Sequence, residues 1–212
     1  RIGLFKRLSS SGHSFILSLQ RQRARNELFV HAIENGLDVP LGSFGDHQFM
    51  VSDEDLEEDE ELGGSLESRY RELQRRLPAS TRWLSSKVFK KTLKKDLERD
   101  NRIITDMLDR FGAWDPNKDS KINALVDMLR DDHPGEKVLV FTEYADTAEY
   151  VAQALRDAGI ANVGLAFGDS DDPAAIARRF SPESNRLPGD EEDVKPSENP
   201  IELLASDGEQ VV

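Results

Sequence analysis

Residues 141–146 (FTEYAD) form a short polar segment between an apolar run and a helical pattern. Ligands of α/β proteins meet the sheet at the carboxyl ends of its strands, where the first amides of the following helix can bind a phosphate. We interpret this segment as a candidate ligand-contacting loop. The alternative, which the residues alone leave open, is a plain connection between a strand and a helix.

A second candidate for binding is a series of basic residues at steps of three or four, consisting of Lys87, Lys91, Lys95, Arg99 and Arg102. On an α-helix this spacing would form one basic face. Such a face could bind backbone phosphates of a nucleic acid and release their counterions. A solvated helix face has the same pattern and, on spacing alone, is the preferred interpretation.

Motifs for nucleotide hydrolysis are missing from the sequence. There is no glycine-rich P-loop ending in Gly-Lys-Ser/Thr and no Asp-Glu-Ala/Cys-His box, so neither a cradle for a triphosphate nor an acid for magnesium is evident. The chain has no cysteine, and its four histidines lack the spacing of metal ligands. We therefore expect no catalytic residues and no metal site in this chain.

The net charge of −13 is unevenly distributed. Residues 43–68 contain ten acids and no base, whereas residues 69–118 contain fourteen bases and seven acids. Because salt screens the interaction between surface charges beyond about 10 Å, the charge of a local patch, and not the net charge, decides whether phosphate is attracted. We predict that residues 43–68 are a disordered or mobile linker.

With no signal peptide and no apolar run of about 20 residues, we expect a cytoplasmic protein without a membrane partner.

The first half of the chain has the pattern of helices. Residues 2–35 predict a helix that stops at Asn35-Gly36, and residues 66–111 predict a second helical region broken near Pro78. The two tryptophans, Trp83 and Trp114, are interpreted as core anchors. The later part of the second region has an apolar stripe composed of Val88, Leu93, Leu97, Ile104, Leu108 and Phe111.

From Asp119 onward the pattern changes to alternating helices and strands. Strands are predicted at residues 137–142, 162–167 and 201–206, and helices at residues 119–130, 146–158 and 172–180. Asp146 and Glu149 have the spacing of a capping box. This order predicts a parallel sheet covered on both faces, with Val138, Val140 and Phe141 in its core. The expected fold class is α/β, with a helical domain at residues 1–118 and a sheet domain at residues 119–212.

Residues 119–185 resemble the opening of the C-terminal helicase lobe of Swi/Snf-type ATPases, the DNA-dependent branch of helicase superfamily two. The matching stretches are DSKINALVDML, GEKVLVFTEYADTAEYVAQALRDAGI and FGDSDDPAAIARRFSPESN. KVLVFT with EYADT is similar to helicase motif four, and IELLASD (residues 201–207) to the strand entering motif five. Residues 4–37 resemble the helical region that bacterial and archaeal members carry between their two lobes.

The resemblance implies a partial RecA-like lobe of the P-loop NTPase type, belonging to a motor that hydrolyses ATP with magnesium between two lobes and moves along duplex DNA. Thr142 and its neighbours, Tyr144 among them, would face the DNA backbone, and Ser206 would stand at the Thr/Ser position of motif five. Lys87, Lys91, Lys95 and Arg99 would contact phosphates. The partners implied are duplex DNA and the missing N-terminal ATPase lobe.

The sequence departs from the family pattern at its end, because residues 208–212 (GEQVV) do not continue motif five, and motif six is absent. We therefore interpret the chain as an internal fragment that binds no ATP or magnesium alone and is catalytically inactive. One alternative is a non-enzymatic helical interaction module with an acidic linker. A stand-alone nucleotide-binding α/β domain is less favoured, because a glycine-rich phosphate loop is missing.

Overall fold

The computed structural model describes residues 2–41, 65–90, 92–111, 114–167, 173–182, 184 and 201–205. The chain is mixed α/β and divides into two compact units, Ile16–Ala113 and a second unit made of Arg1–Phe15 with Trp114–Val212. This division differs from the predicted one at residue 118 because the first fifteen residues group with the later part of the chain. We call the two the helical unit and the sheet unit. In the described residues, no helix is long and apolar enough to cross a membrane.

The helical unit combines helices with a small antiparallel sheet. Its elements are most of α2 (Gly12–Glu34), then β1 (Asp38–Leu41), α3 (Leu66–Arg76), β2 (Arg82–Ser85), a 3-10 turn (Ser86–Val88) and α4 (Leu93–Phe111). Helix α2 ends as predicted, since Gly36 adopts a positive φ of 66° that glycine accepts without strain. The core consists of Leu28, Ala32, Val39, Tyr70, Leu73 and Leu77.

Strands β1 and β2 were not predicted. The pattern of residues 66–111 indicated a helical region with a break near Pro78, but residues 82–85 pair antiparallel with β1, with Val39 opposite Leu84. The tyrosine on α3 fixes this pairing, because the Tyr70 hydroxyl donates to the Asp38 carbonyl at 2.6 Å. The ring of Trp83 packs edge-on against Tyr70, which agrees with its predicted anchoring role.

The apolar stripe predicted for residues 88–111 is only partly correct. Ile104 is buried, as expected, but Val88 and Phe111 are largely exposed. The reason for Val88 is that α4 begins only at Leu93, so Val88 lies in the preceding 3-10 turn and not on the helix. Of the predicted linker, residues 43–64 lie outside the described residues, and Ser65 caps α3 by accepting from the Ser68 amide.

The sheet unit contains three parallel strands and the helices that pack on them. After α1 (Ile2–Ser10) and the start of α2, its elements are a 3-10 turn (Pro116–Lys118), α5 (Ser120–Asp127) with a π-helical turn (Met128–Asp132), β3 (Val138–Thr142), α6 (Ala145–Asp157), β4 (Val163–Phe167), α7 (Pro173–Phe180) and β5 (Ile201–Ala205). The strand order is β3-β5-β4, with both neighbouring pairs parallel. The predicted strands and helices of this half are therefore present within one or two residues.

Helices α5 and α6 pack on one face of the sheet. Their core is Ile122, Val126, Leu129, Ala148, Tyr150, Ala152, Ala154 and Leu155, and side chains of β3 and β4 pack against it. Because side chains alternate along a strand, Val138 and Val140 contact this core, while Phe141 points away and is 71% exposed. The prediction that Phe141 fills the core was wrong: the apolar run indicated cover on both faces, but in the described part of the chain only one face of β3 is packed.

Candidate functional site

The loop between β3 and α6 is the site that the sequence singled out. Strand β3 ends at Thr142, whose hydroxyl accepts from the Tyr144 amide at 3.5 Å, and α6 begins at Ala145. In the sheet, Thr142 is the register partner of Ala205, the last residue of β5. The segment resembling motif four therefore ends beside the strand resembling the entry to motif five. Ser206 itself lies outside the described residues.

Helix α1 lies against this loop and brings two basic side chains to it. Lys6 Nζ donates to Glu143 Oε1 at 3.3 Å, and both side chains are exposed. Arg7 Nη1 donates to Asp146 Oδ2 at 2.7 Å, and these two side chains are only 24% and 13% exposed. The Arg7 guanidinium also lies 4.6 Å from the centre of the Tyr144 ring, within the range of a cation–π contact.

The Arg7 pair changes the role predicted for Asp146. The spacing of Asp146 and Glu149 suggested a capping box, but Tyr144 is the N-cap of α6 and its side chain makes no capping bond. The Asp146 carboxylate instead binds Arg7 from the first turn of α6, where a negative charge also interacts favourably with the helix dipole.

A set of hydroxyl groups joins α1 and the start of α2 to the first turn of α6. Thr147 Oγ1 shares hydrogen bonds with Ser10 Oγ at 3.0 Å and with Ser14 Oγ at 2.7 Å. From α5, Lys121 Nζ donates to the carbonyls of Ser9 and Ser10, which are among the last of α1. These contacts fix α1 beside the loop and satisfy carbonyls that a helix end leaves without partners.

An open, mainly apolar groove of about 700 Å³ runs between α1 and the end of β3. Phe5, Lys6 and Ser9 form one side, and residues 140–143 form the other. The rings of Phe5 and Phe141 are 70% and 71% exposed along it. Thr142 is therefore accessible from this groove, whereas one face of the Tyr144 ring is occupied by Arg7.

The charges at the loop are balanced within the sheet unit. The two carboxylates of Glu143 and Asp146 are each paired with a base from α1. Burial, with the negative charge of Glu143, raises the pKa of Tyr144, so its phenol is a neutral hydroxyl at neutral pH. The loop thus offers neutral hydroxyl groups beside compensated acids, and it is not a concentrated positive site.

A buried polar network supports α6 below the loop. The Tyr150 hydroxyl donates to Asp119 Oδ2 at 2.9 Å and accepts from Trp114 Nε1 at 2.9 Å. Asp119 also caps α5 by accepting from the amides of residues 121 and 122. The ring of His13 stacks on Tyr150 with centres 4.7 Å apart. Burial and the bond to Asp119 raise the pKa of Tyr150 to about 12, although the Trp114 N–H lowers it.

Only part of the predicted basic series shares one helix face, since Arg102 lies on α4 with Lys95 and Arg99. Lys87 lies in the 3-10 turn before α4, Lys95 and Arg99 lie on α4, and Lys91 lies outside the described residues. Helix α4 carries five basic and five acidic residues, so it has no net charge. Arg99 also pairs with Asp96 at 3.3 Å. The predicted face is therefore present in part, because the helix begins later than the pattern indicated and leaves Lys87 outside it.

Sequence reasoning missed Lys6, Arg7 and Ser10 as residues of the site. Arg7 and Asp146 are 139 positions apart, and no local pattern marks such a pairing. In the part of the chain that the structure describes, no group of three or more His, Cys, Asp or Glu side chains is arranged to hold a metal ion. The site therefore has the means to bind a ligand through hydroxyl groups, aromatic rings and paired charges.

Comparison with known proteins identifies no relative of this chain. The chain matches no family model, no curated protein and no solved structure. The resemblance to the Swi/Snf helicase lobe therefore depends on the quoted residues alone.

Proposed function

We propose that this chain is part of an ATP-dependent DNA translocase of the Swi/Snf type, comprising the helical region between the lobes and the start of a RecA-like second lobe. In this proposal the chain contributes contacts to the DNA backbone and couples the lobes. Catalysis requires the ATP, the magnesium and the first lobe of the complete motor, because phosphoryl transfer uses groups from both sides of the cleft.

The observation that carries the proposal is the pairing of β3 with β5. Two segments that the resemblance assigns to consecutive helicase motifs are more than fifty residues apart in sequence. They end side by side on one sheet edge, with Thr142 opposite Ala205. Ligands of parallel α/β sheets bind at the carboxyl ends of the strands, which is where Thr142 and Ala205 lie.

Within the proposal, Thr142 and Tyr144 donate hydrogen bonds from the loop to phosphate oxygens, and Ser206 is the third contact of this kind that the resemblance assigns. Lys87, Lys91, Lys95 and Arg99 supply less specific contacts from the helical unit. Contacts of this kind fix a protein on a duplex and read no bases. The salt dependence of binding then reports the number of phosphates that are neutralised.

A salt titration of duplex DNA binding tests the proposal. The variant changes Lys87, Lys91, Lys95 and Arg99 to Gln, and the control changes four other bases of the helical unit, Arg71, Arg75, Arg76 and Arg82, to Gln. If the first set contacts phosphates, the slope of log affinity against log salt flattens by roughly three to four units, about 0.9 for each phosphate. The control slope should change by less than about one unit.

Absence of duplex binding by the unmodified chain at low salt would reject the proposal. Equal slopes for the two variants would show that Lys87, Lys91, Lys95 and Arg99 do not contact phosphates. A site-specific test is available as well, because the chain has no cysteine. A photoactivated crosslinker on Thr142→Cys should label bound DNA, whereas one on Gln153→Cys, on the exposed side of α6, should not.

A second candidate function, a non-enzymatic interaction module, has support from α4. Ile103 and Phe111 are both more than half exposed on this helix, at a spacing that places them on one face with Met107. Exposed apolar side chains at helical spacing are typical of surfaces that bind a partner helix. Ile103→Glu with Phe111→Glu should abolish a protein interaction and leave duplex DNA binding of the chain within about twofold.

A further inference from the structure

We propose that α1 is a countercharge brace for the loop after β3, with Arg7 as its main positioning residue. This inference rests on the proposed function, because it concerns how an anionic DNA backbone can approach Thr142 and Tyr144. The loop carries two carboxylates, Glu143 and Asp146, which by themselves repel phosphates. Arg7 and Lys6 neutralise them and hold the loop in place.

The geometry around Arg7 distinguishes it from an ordinary surface base. Its guanidinium donates to Asp146 at 2.7 Å, and the two side chains are mostly shielded from water. The same group lies over the ring of Tyr144 at 4.6 Å. The Arg7 side chain therefore contacts both the acid in the first turn of α6 and the residue at the N-cap position of this helix. Lys6, on the exposed rim, pairs with Glu143 at 3.3 Å.

The rest of α1 is held where these pairs require it. Ser10 and Ser14 bond to Thr147 in the first turn of α6, and Lys121 binds the carbonyls of Ser9 and Ser10. The brace thus does not depend on the ion pairs alone for its position. Loss of the Arg7 charge removes its ion pair with Asp146 at the start of α6, while the other contacts of α1 keep the helix in place.

Charge substitutions in the full chain test this role through the affinity for a fluorescent duplex of about 20 base pairs at low salt. Arg7→Gln should weaken binding roughly tenfold, because Asp146 then loses the positive charge that offsets its own charge beside the loop. Lys118→Gln removes the same charge from an exposed side chain and should weaken binding by no more than about twofold. The Arg7→Gln deficit should shrink at high salt, since salt screens the repulsion.

Rescue separates this role from a structural one. Arg7→Gln combined with Asp146→Asn should bind within about twofold of the unmodified chain, because the offending carboxylate is gone. Arg7→Gln combined with Asp157→Asn has the same net charge but changes an exposed acid at the far end of α6, and it should stay weak. Equal affinities of the two double variants, or no salt dependence of the deficit, would overturn the inference.

A reversible crosslink tests whether α1 must stay in place. Ser10→Cys with Thr147→Cys replaces two hydroxyls 3.0 Å apart in a chain without other cysteines. The oxidised form should bind DNA as tightly as the reduced form if α1 is a brace. Much weaker binding by the oxidised form would mean that α1 blocks the loop, and this would also overturn the inference. Absence of DNA binding by the unmodified chain would reject the proposed function together with it.

Discussion

Removing the hydroxyl of Tyr150 tests whether the buried network under α6 stabilises the sheet unit. In Tyr150→Phe, the Asp119 carboxylate, only 8% exposed, loses one donor and keeps the two amides of α5. A hydrogen bond to a charged group contributes about 1.5–3 kcal/mol, and the Trp114 N–H loses its acceptor in the same variant. We expect the sheet unit to lose roughly 2–3 kcal/mol at neutral pH, or about 4–12 °C in melting temperature.

The pH dependence of this loss gives a second, independent result. The pKa of Tyr150 is raised from 10.0 to about 12 in the folded chain, so its stabilising effect is complete below pH 10 and is lost as the pH rises through 12. The difference in unfolding free energy between the unmodified chain and Tyr150→Phe should therefore shrink by roughly 2–3 kcal/mol between pH 10 and 12. Urea unfolding at several pH values measures it.

Absorbance near 295 nm provides the control for this prediction. The difference between the titrations of the unmodified chain and Tyr150→Phe isolates one phenol, which should ionise near pH 12. A difference curve centred near pH 10, or a free-energy gap that is constant up to pH 12, would refute the reasoning that this hydroxyl is a buried donor to Asp119.

The remaining predictions concern packing and catalysis. Gly12→Ala should lower the free energy of unfolding of the sheet unit by roughly 1–3 kcal/mol, measured by urea unfolding, because a Cβ would overlap the Trp114 ring. This loss should exceed the gain from the higher helix propensity of alanine. An increase in stability would contradict the close contact between Gly12 and Trp114. Phe141→Ala should cost less than about 1 kcal/mol and Leu155→Ala, fully buried, about 2–5 kcal/mol; the reverse order would place Phe141 in a core after all. The isolated chain should release no phosphate from ATP, with or without DNA; turnover well above background would exclude the fragment interpretation.

The alternating elements of the sheet unit could be predicted because their signals are local. The β3 run, the positive-φ stop at Gly159 and the proline that begins α7 are each encoded in a few neighbouring residues. Burial was harder to predict. An apolar run is compatible with a strand that is covered on both faces, but the packing of the neighbouring helices decides which face is covered, and it leaves Phe141 exposed.

The candidate site could be predicted only in part. Residues 141–146 were identified from their position after a strand, but the Arg7–Asp146 pair depends on a helix from the opposite end of the sequence. The β1–β2 pairing could not be predicted for the same reason, since no local pattern in the sequence indicates that Val39 pairs with Leu84. The basic series was predicted only in part, because Lys95, Arg99 and Arg102 lie on α4 whereas this helix starts after Lys87.

The strand order β3-β5-β4 also constrains the order of folding. The strand in the middle of the sheet is the last of the three to leave a ribosome, and β3 and β4 are not hydrogen-bonded neighbours. Until residues 201–205 are synthesised, the two earlier strands have only helices to pack on, among them α6 and α7, and lack the strand that pairs with both. Pairings between residues so distant in sequence close slowly, because a long loop must first be ordered. During that interval two apolar strands have open edges, which is the condition under which chaperones and aggregation compete for a nascent chain.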